Sequence, residues 1–241
     1  MELEYGFSPQ QLTGRSRSHI VDVPEPPCSL HQAVVAPFMA LRAAAAADGI
    51  DLMPVSSFRD FDRQLTIWNG KCRGERELRG PDGVVLDANS LGDDALVSTV
   101  LHWSALPGAS RHHWGTDMDV IDAAAMPPGY RPRLETEEFA AGGVFARLDA
   151  WLAERSAELG FYRPYGSYRG GFQPEPWHLS YAPVASQALA QFSVQLLQAA
   201  LDQIELAASA AVRRALPRIV ETYVMNVDAA PAGAIRATRL A

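Results

Sequence analysis

The sequence is poor in cysteine, and its two cysteines, Cys28 and Cys72, lie far apart. Two such residues are too few for the disulfide framework of a small secreted domain or for a clustered thiolate metal site. We therefore interpret both as free thiols.

Long hydrophobic runs are also missing. No stretch reaches the roughly 18 apolar residues that a membrane-spanning helix needs, and the first residues show no basic region followed by an apolar core. We expect a cytoplasmic protein without a membrane span. An exported location is the alternative if a leader has been removed.

An excess of positive charge is the third absence. The 28 acidic residues outnumber the 21 lysines and arginines, which gives a net charge of -7. Such a chain repels polyanions, so a nucleic acid or an acidic membrane surface is not expected as its main partner.

What is present is enough apolar material for a core. Of the 241 residues, 48% are hydrophobic, which favours one main globular body. Apolar periodicity predicts helices over residues 30–47, 61–68, 95–103 and 145–159, and strands over 50–55, 118–121 and 177–181. Residues 69–93 are polar and glycine-rich and are predicted to form a long loop or flap.

The residues after Pro183 differ in composition from the rest. Alanine, leucine and glutamine dominate as far as Leu216, which predicts two helices followed by a frayed tail over 227–241. We expect a main domain over 1–183 and a helical C-terminal extension over 184–241.

The most informative stretch is Ser110-Arg111-His112-His113-Trp114-Gly115-Thr116-Asp117-Met118-Asp119. Imidazole and carboxylate groups of this kind suit zinc. Gly115 would let the chain turn, so that His112 before the turn and Asp119 on the following strand reach one point.

A second stretch, Glu175-Pro176-Trp177-His178, offers another imidazole and a carboxylate just before a predicted strand. Three protein ligands and one water form the usual catalytic zinc site, and a nearby carboxylate can take a proton from that water. Glu175 is the candidate base.

Arg59 lies where a predicted strand passes into a helix. Its guanidinium could stabilise negative charge on a carbonyl oxygen or hold a carboxylate. Gln64 follows on the same side and could contact a peptide through its amide. Each of these residues taken alone is more often structural, and we interpret the other four histidines as structural or surface residues: His19, His31, His102 and His113.

Together the two stretches form the pattern S-x-H-x-x-G-x-x-x-D followed by E-x-W-H. This pair resembles the VanY-type D-alanyl-D-alanine carboxypeptidases, within the wider group of lysostaphin-like and D-Ala-D-Ala metallopeptidases. Ser57-Phe58-Arg59 with Gln64 is similar to the substrate-binding region of that family. The resemblance covers roughly residues 55–181 and leaves the C-terminal helices outside.

The resemblance implies a small α+β fold in which helices flank an antiparallel sheet and the zinc site lies at the sheet. It also implies that His112, Asp119 and His178 bind zinc and that Glu175 is the catalytic base. Arg59 would stabilise the oxyanion or hold the substrate. Ser110 and Gln64 would contact the peptide or its terminal carboxylate.

One position departs from the family pattern, which often has a small residue where this chain has Asp117. Residues 117 and 119 point to the same face of a strand. Asp117 is therefore either a partner that orients a histidine ligand or an alternative ligand. The choice of Asp119 as the ligand follows the family match.

The expected activity is removal of a terminal D-alanine from peptidoglycan-derived peptides by a zinc carboxypeptidase. A dipeptidase or endopeptidase on the same scaffold is one alternative, and a non-catalytic zinc-dependent module that recognises wall peptides is another. Glu175 and Arg59 favour an enzyme, because binding alone does not need a base. Wall substrates make a periplasmic or cell-wall location the alternative to the cytoplasm.

Overall fold

A computed structural model describes residues 5–202 and 204–236. Its centre is a four-stranded antiparallel sheet of order β3-β6-β8-β7. The strands are β3 Leu52–Ser56, β6 Asp117–Asp122, β7 Phe161–Tyr162 and β8 His178–Tyr181, and two hairpins add β1 Ile20–Pro24 with β2 Pro27–His31 and β4 Leu78–Arg79 with β5 Val85–Leu86. The predicted α+β class with a small antiparallel sheet is confirmed.

Strand β6 runs through the middle of the sheet, and all its residues are buried. It pairs with β3 on one side, through Met53 and Ile121, and with β8 on the other, through Asp119 and His178. A strand covered on both faces cannot show the polar and apolar alternation of a half-exposed one, so three aspartates of β6 lie inside the protein.

Helices cover the sheet. They are α1 Pro9–Leu12, α2 Gln32–Ala47, α3 Phe61–Cys72, α4 Asp93–Leu101, α5 Thr136–Phe139, α6 Ala146–Arg155, α7 Ala182–Gln191, α8 Val194–Leu201, α9 Ser209–Ile219 and α10 Ala232–Arg236. Helix α2 shows why they form, because Val34, Phe38, Leu41 and Ala45 recur at helical spacing and are buried in the main core. None of the helices in the described residues combines the length and apolar character that crossing a bilayer requires.

Two sequence predictions need correction. Residues 69–93 are not a structureless loop, because they contain the β4–β5 hairpin and the 3-10 turn Ala88–Ser90. The opening segment forms the β1–β2 hairpin, which was not predicted because its strands are interrupted by prolines at 24, 26 and 27. Both hairpins are short, so their apolar alternation is too brief to stand out.

The C-terminal part contains three α-helices up to Ile219 where two were predicted, and part of the predicted tail forms α10. Leu197, Val212 and Val224 lie in the same hydrophobic cluster as the sheet residues Met118 and Leu179. The division into domains at residue 183 stays a prediction. Residues 237–241 of the predicted tail lie outside the described residues.

Candidate metal centre

The sheet register brings together residues that are far apart in the sequence. Asp119 on β6 is the direct pairing partner of His178 on β8. His112 belongs to the 3-10 turn Arg111–Trp114, which ends at Gly115 with a φ of 69°. A left-handed turn of this kind favours glycine, and a Cβ here would lie 2.7 Å from the backbone nitrogen of His31. The predicted turn at Gly115 is therefore present.

His112, Asp119 and His178 form a buried cluster in which one potential ligand atom from each lies within 4.8 Å of the others. His112 Nε2 is 3.5 Å from Asp119 Oδ2, and His178 Nδ1 is 3.2 Å from Asp119 Oδ1. Within the described part of the chain, Asp119 Oδ1 and His178 Nδ1 have no hydrogen bond of good geometry. Buried polar atoms need partners, and a metal ion at this point would supply one.

Neighbouring acceptors fix which nitrogen of each histidine is free. His112 Nδ1 lies 2.9 Å from the carbonyl oxygen of Ser57, which can only accept, so Nδ1 carries the proton and Nε2 remains available. His178 Nε2 lies 3.0 Å from Asp117 Oδ1, which leaves Nδ1 on the side of Asp119. Both free nitrogens belong to the cluster.

The electrostatics of the cluster favour a cation. Burial lowers the pKa of His112 to about 3, which keeps this ring neutral and able to bind a metal. Burial also opposes charge on His178, but the carboxylates of Asp117, Asp119 and Glu175 outweigh it and raise its pKa well above the usual value. The negative charge that favours a proton here would also favour a divalent cation. The donor set therefore fits a metal ion.

Asp117 lies on the far side of the His178 ring and outside the three-residue cluster. Its carboxylate accepts from Arg111 Nε at 2.8 Å and from Thr116 Oγ1 at 2.5 Å. Burial alone would raise the pKa of Asp117, but Arg111 and His178 hold it below its usual range. Of the two roles considered from the sequence, the geometry supports the orienting partner.

Sequence reasoning missed Arg111. This residue is buried, and its Nη2 donates to Ser180 Oγ at 2.7 Å and to Tyr162 OH at 3.2 Å, which ties it to β8 and β7. A charged residue beside a ligand, in the same motif as an unexpected carboxylate, was the available signal. A buried arginine needs a buried anion, and Asp117 is that anion.

Glu175 lies in the turn before β8, and its Oε2 is 3.2 Å from His178 Nδ1. A hydrogen bond from its backbone nitrogen to Tyr165 O, 2.8 Å long, holds this turn. Burial raises the pKa of the Glu175 carboxyl. A carboxylate with a raised pKa beside a metal cluster is placed to accept a proton from a water.

Arg59 follows β3 and precedes α3, whose N-cap is Asp60. Its backbone is fixed against the first motif, since Arg59 N donates to His112 O at 3.2 Å and His113 Nδ1 lies 2.6 Å from Arg59 O. The side chain donates to Gln64 Oε1 at 2.9 Å and to Ser56 Oγ at 3.1 Å. The guanidinium is therefore positioned before any substrate arrives.

Gln64 was predicted to contact the peptide substrate, and this role stays a prediction. Gln64 is fully buried, and its amide nitrogen donates to Ala105 O at 2.7 Å while its oxygen accepts from Arg59. Both ends of the amide are therefore used inside the protein. Its geometry supports a role in orienting Arg59.

The six predicted site residues other than Gln64 line one cleft of about 1040 Å³. They are Arg59, Ser110, His112, Asp119, Glu175 and His178. Among the described residues, the remaining histidines are outside the metal cluster. His113, for example, accepts from Gly108 N at 3.1 Å and links two loops.

The C-terminal segment, through the π-helix Val220–Met225 and the residues after it, contacts the loop that carries Glu175. Tyr223 packs its ring on Phe172, which packs on Tyr165, which in turn packs on the His178 ring at a centroid distance of 5.0 Å. Asp228 accepts from both the backbone nitrogen and the hydroxyl of Ser167, at 2.9 and 2.8 Å. The C-terminal part thus supports one wall of the cleft.

The sequence of this chain is similar to a known protein family and to two uncharacterised proteins. The family model for VanY, D-alanyl-D-alanine carboxypeptidase, matches residues 27–184. An uncharacterised protein of Haemophilus influenzae is 48% identical over 104 residues, which are 42% of this chain and 70% of that protein. A second uncharacterised protein of the same organism is 39% identical over 94 residues, 38% of this chain and 72% of that protein.

Among solved structures, VanYB in complex with D-alanine-D-alanine is similar at a TM-score of 0.51, with 18% identity over 80% of this chain and 87% of that one. A variant of the vancomycin resistance D,D-pentapeptidase VanY in complex with Zn(II) has a TM-score of 0.49, with 18% identity over 82% of this chain and 92% of that one. At 18% identity the likeness to VanYB concerns the fold. The extent of the family match shows that this chain belongs to the VanY family of D-alanyl-D-alanine carboxypeptidases.

Proposed function

We propose that the protein is a zinc-dependent carboxypeptidase that removes the terminal D-alanine from peptidoglycan-derived peptides. The observation that carries the proposal is the position of Glu175, whose carboxylate lies 3.2 Å from the free nitrogen of His178 beside the buried His112, Asp119 and His178 cluster. A binding module has no need for a base at this point.

The donor set supports zinc as the metal. Two imidazole nitrogens and one carboxylate oxygen are typical zinc ligands, and three protein ligands leave a fourth position for water or substrate. Zinc bound there would supply a Lewis acid and lower the pKa of a water towards neutrality.

The protein residues divide the remaining work between them. Glu175 accepts the proton of the attacking water and can pass it to the leaving amine. Arg59, held by Gln64 and Ser56, faces the negative charge that develops on the carbonyl oxygen. Ser110 lines the same cleft and offers its hydroxyl to the peptide.

D-alanine at the substrate terminus is supported by the family match and by the D-alanine-D-alanine complex of the similar VanYB structure. The test is release of D-alanine from a muramyl pentapeptide and a muramyl tetrapeptide by protein with and without zinc. We expect release from one of them, loss with a chelator and recovery on adding zinc. No release from either, by protein shown to contain zinc, would refute the carboxypeptidase and favour an endopeptidase or a recognition module.

Asp117→Asn should weaken metal binding. Asparagine keeps the shape of the side chain but removes the charge that orients His178 and pairs with Arg111. Loss of such an outer partner typically lowers metal affinity about 10–100-fold. The zinc dissociation constant, measured by competition with a chromogenic chelator, gives the effect.

Asp122→Asn is the matched control for this change. Asp122 lies on the same strand and is buried, but its carboxylate accepts from the backbone nitrogens of Asp51 and Ala124 and not from a metal-site residue. We expect its zinc affinity to equal that of the wild type. An Asp117→Asn protein with wild-type affinity would show that Asp117 does not act on the metal site.

A further inference from the structure

Lys71 lies in the last turn of α3 and lines the same cleft as Arg59 and Glu175. It follows Gln64 by seven residues, so it stands on the same face of the helix, about 10.5 Å further along the axis. The side chain is half-buried. Nothing in the mechanism above uses it.

The ammonium group of Lys71 has no bonded partner. Among residues 5–202 and 204–236, no hydrogen bond or ion pair of the Lys71 side chain is present, and it feels Glu77 and Glu175 only at longer range. Burial lowers the pKa of the Lys71 ammonium, and the charges of Arg76 and Arg79 lower it further. A desolvated cation without an anion is unfavourable, and an incoming anion would relieve it.

Two other cations that line this cleft are already paired with carboxylates. Arg79 lies 2.5 Å from Glu77 and 3.5 Å from Glu135, and Arg133 lies 2.9 Å from Glu135. Unlike Arg79 and Arg133, Lys71 forms no ion pair with a carboxylate among the described residues. Its position at a helix C-terminus contributes some stabilisation through the helix dipole, but that effect does not require burial in a cleft.

We propose that Lys71 is a carboxylate-binding subsite of the cleft, which recognises an acidic group of the peptide substrate. This inference rests on the proposed function. The carboxylate belongs either to the C-terminus of the peptide or to the side chain of a residue before the cleaved bond. Lys71 lines the same cleft as Glu175, and a peptide whose cleaved bond lies at Glu175 carries both carboxylates within a few residues of that bond, at about 3.3–3.6 Å per residue.

The decisive experiment compares wild type, Lys71→Met and Lys71→Arg in the zinc-loaded protein. The substrates are a wall pentapeptide with a free side-chain carboxylate at its diamino acid, the same peptide with that group as a primary amide, and the peptide with an amidated C-terminus. A charge-assisted hydrogen bond contributes enough that Lys71→Met should raise KM for the free peptide about 10–100-fold. Lys71→Arg should restore much of the loss.

The two amidated peptides show which carboxylate Lys71 binds, because amidation of that carboxylate should remove the KM difference between wild type and Lys71→Met. If wild type and Lys71→Met have equal KM values on the side-chain amide, the side chain is the ligand, and if they are equal only on the C-terminal amide, the terminus is. Arg133→Met is the control, because it removes a paired, exposed cation from the lining of the same cleft and should change KM by less than about fivefold. Equal KM values for wild type and Lys71→Met on all three peptides would overturn the proposal.

Direct binding separates this inference from the proposed activity. Calorimetric titration of the free pentapeptide into zinc-loaded wild type and Lys71→Met needs no hydrolysis. If the wild type binds the peptide without cleaving it, and Lys71→Met binds about 10–100-fold more weakly, the subsite stands and the carboxypeptidase fails. Equal affinities would refute the subsite while leaving the activity unaffected.

Discussion

Replacing Glu175 with glutamine will lower peptide hydrolysis by about 10²–10⁴-fold, the usual contribution of a general base. Glutamine has nearly the same size and still reaches His178, but it cannot accept a proton from water. The loss should fall on kcat, since the groups that hold the metal and the peptide remain. Release of D-alanine under steady-state conditions measures it.

Two measurements make this prediction specific. Glu175→Gln should still bind zinc, because the three ligands remain, although the loss of a nearby negative charge should lower the affinity somewhat. Glu137→Gln is the control, since Glu137 lines the same cleft but is exposed and belongs to a different segment from the metal cluster. A Glu175→Gln enzyme with full activity would exclude Glu175 as the base and leave only metal-site or binding roles for this motif.

Asp119→Ala should abolish both metal binding and hydrolysis. Asp119 is the only carboxylate in the cluster, and it approaches both His112 and His178. Without it two imidazoles remain, and the site loses its anionic ligand. The fall in zinc affinity should exceed the roughly 10–100-fold expected for an outer partner such as Asp117.

Metal analysis after dialysis and chelator competition test this outcome, and thermal unfolding of the metal-free proteins checks the fold. Asp119 is buried, so its removal leaves space but also removes negative charge from a crowded site. We expect metal-free Asp119→Ala to remain folded. If it binds zinc as tightly as the wild type, the ligand set is wrong, and Asp117 or Glu175 would become the candidate ligand.

Much of the site was predictable because its chemistry is concentrated in two short motifs. Ser110, His112, Asp119, Glu175 and His178 all line the cleft that the motifs implied. Their catalytic and binding roles stay predictions until the variants are measured, as does the location of the protein in the cell. Helical spacing predicts the side of α3 on which Gln64 lies but not its burial against Arg59.

The helices were predictable for a similar local reason. The predicted segment 61–68 begins at Phe61, where the structure begins α3, because Asp60 caps the helix by accepting from Arg63 N at 2.7 Å. The end of α3 at Cys72 was missed, since Asn69 and Gly70 are poor helix formers that tertiary contacts stabilise. Asn69, for example, bonds to the backbone of Glu205 and Ala207.

The sequence by itself determined the kinds of group at the site, because they are concentrated in two short motifs, and it determined the fold class through the family resemblance that those motifs carry. Only the tertiary structure decided how Asp117 and Asp119 differ. The pairing of Asp119 with His178 spans the sheet, so the His178 ring lies with Nδ1 towards Asp119 and Nε2 towards Asp117. The burial of Arg111 and the support of the Glu175 loop by Tyr223 and Asp228 also depend on contacts between distant segments, which no local pattern encodes.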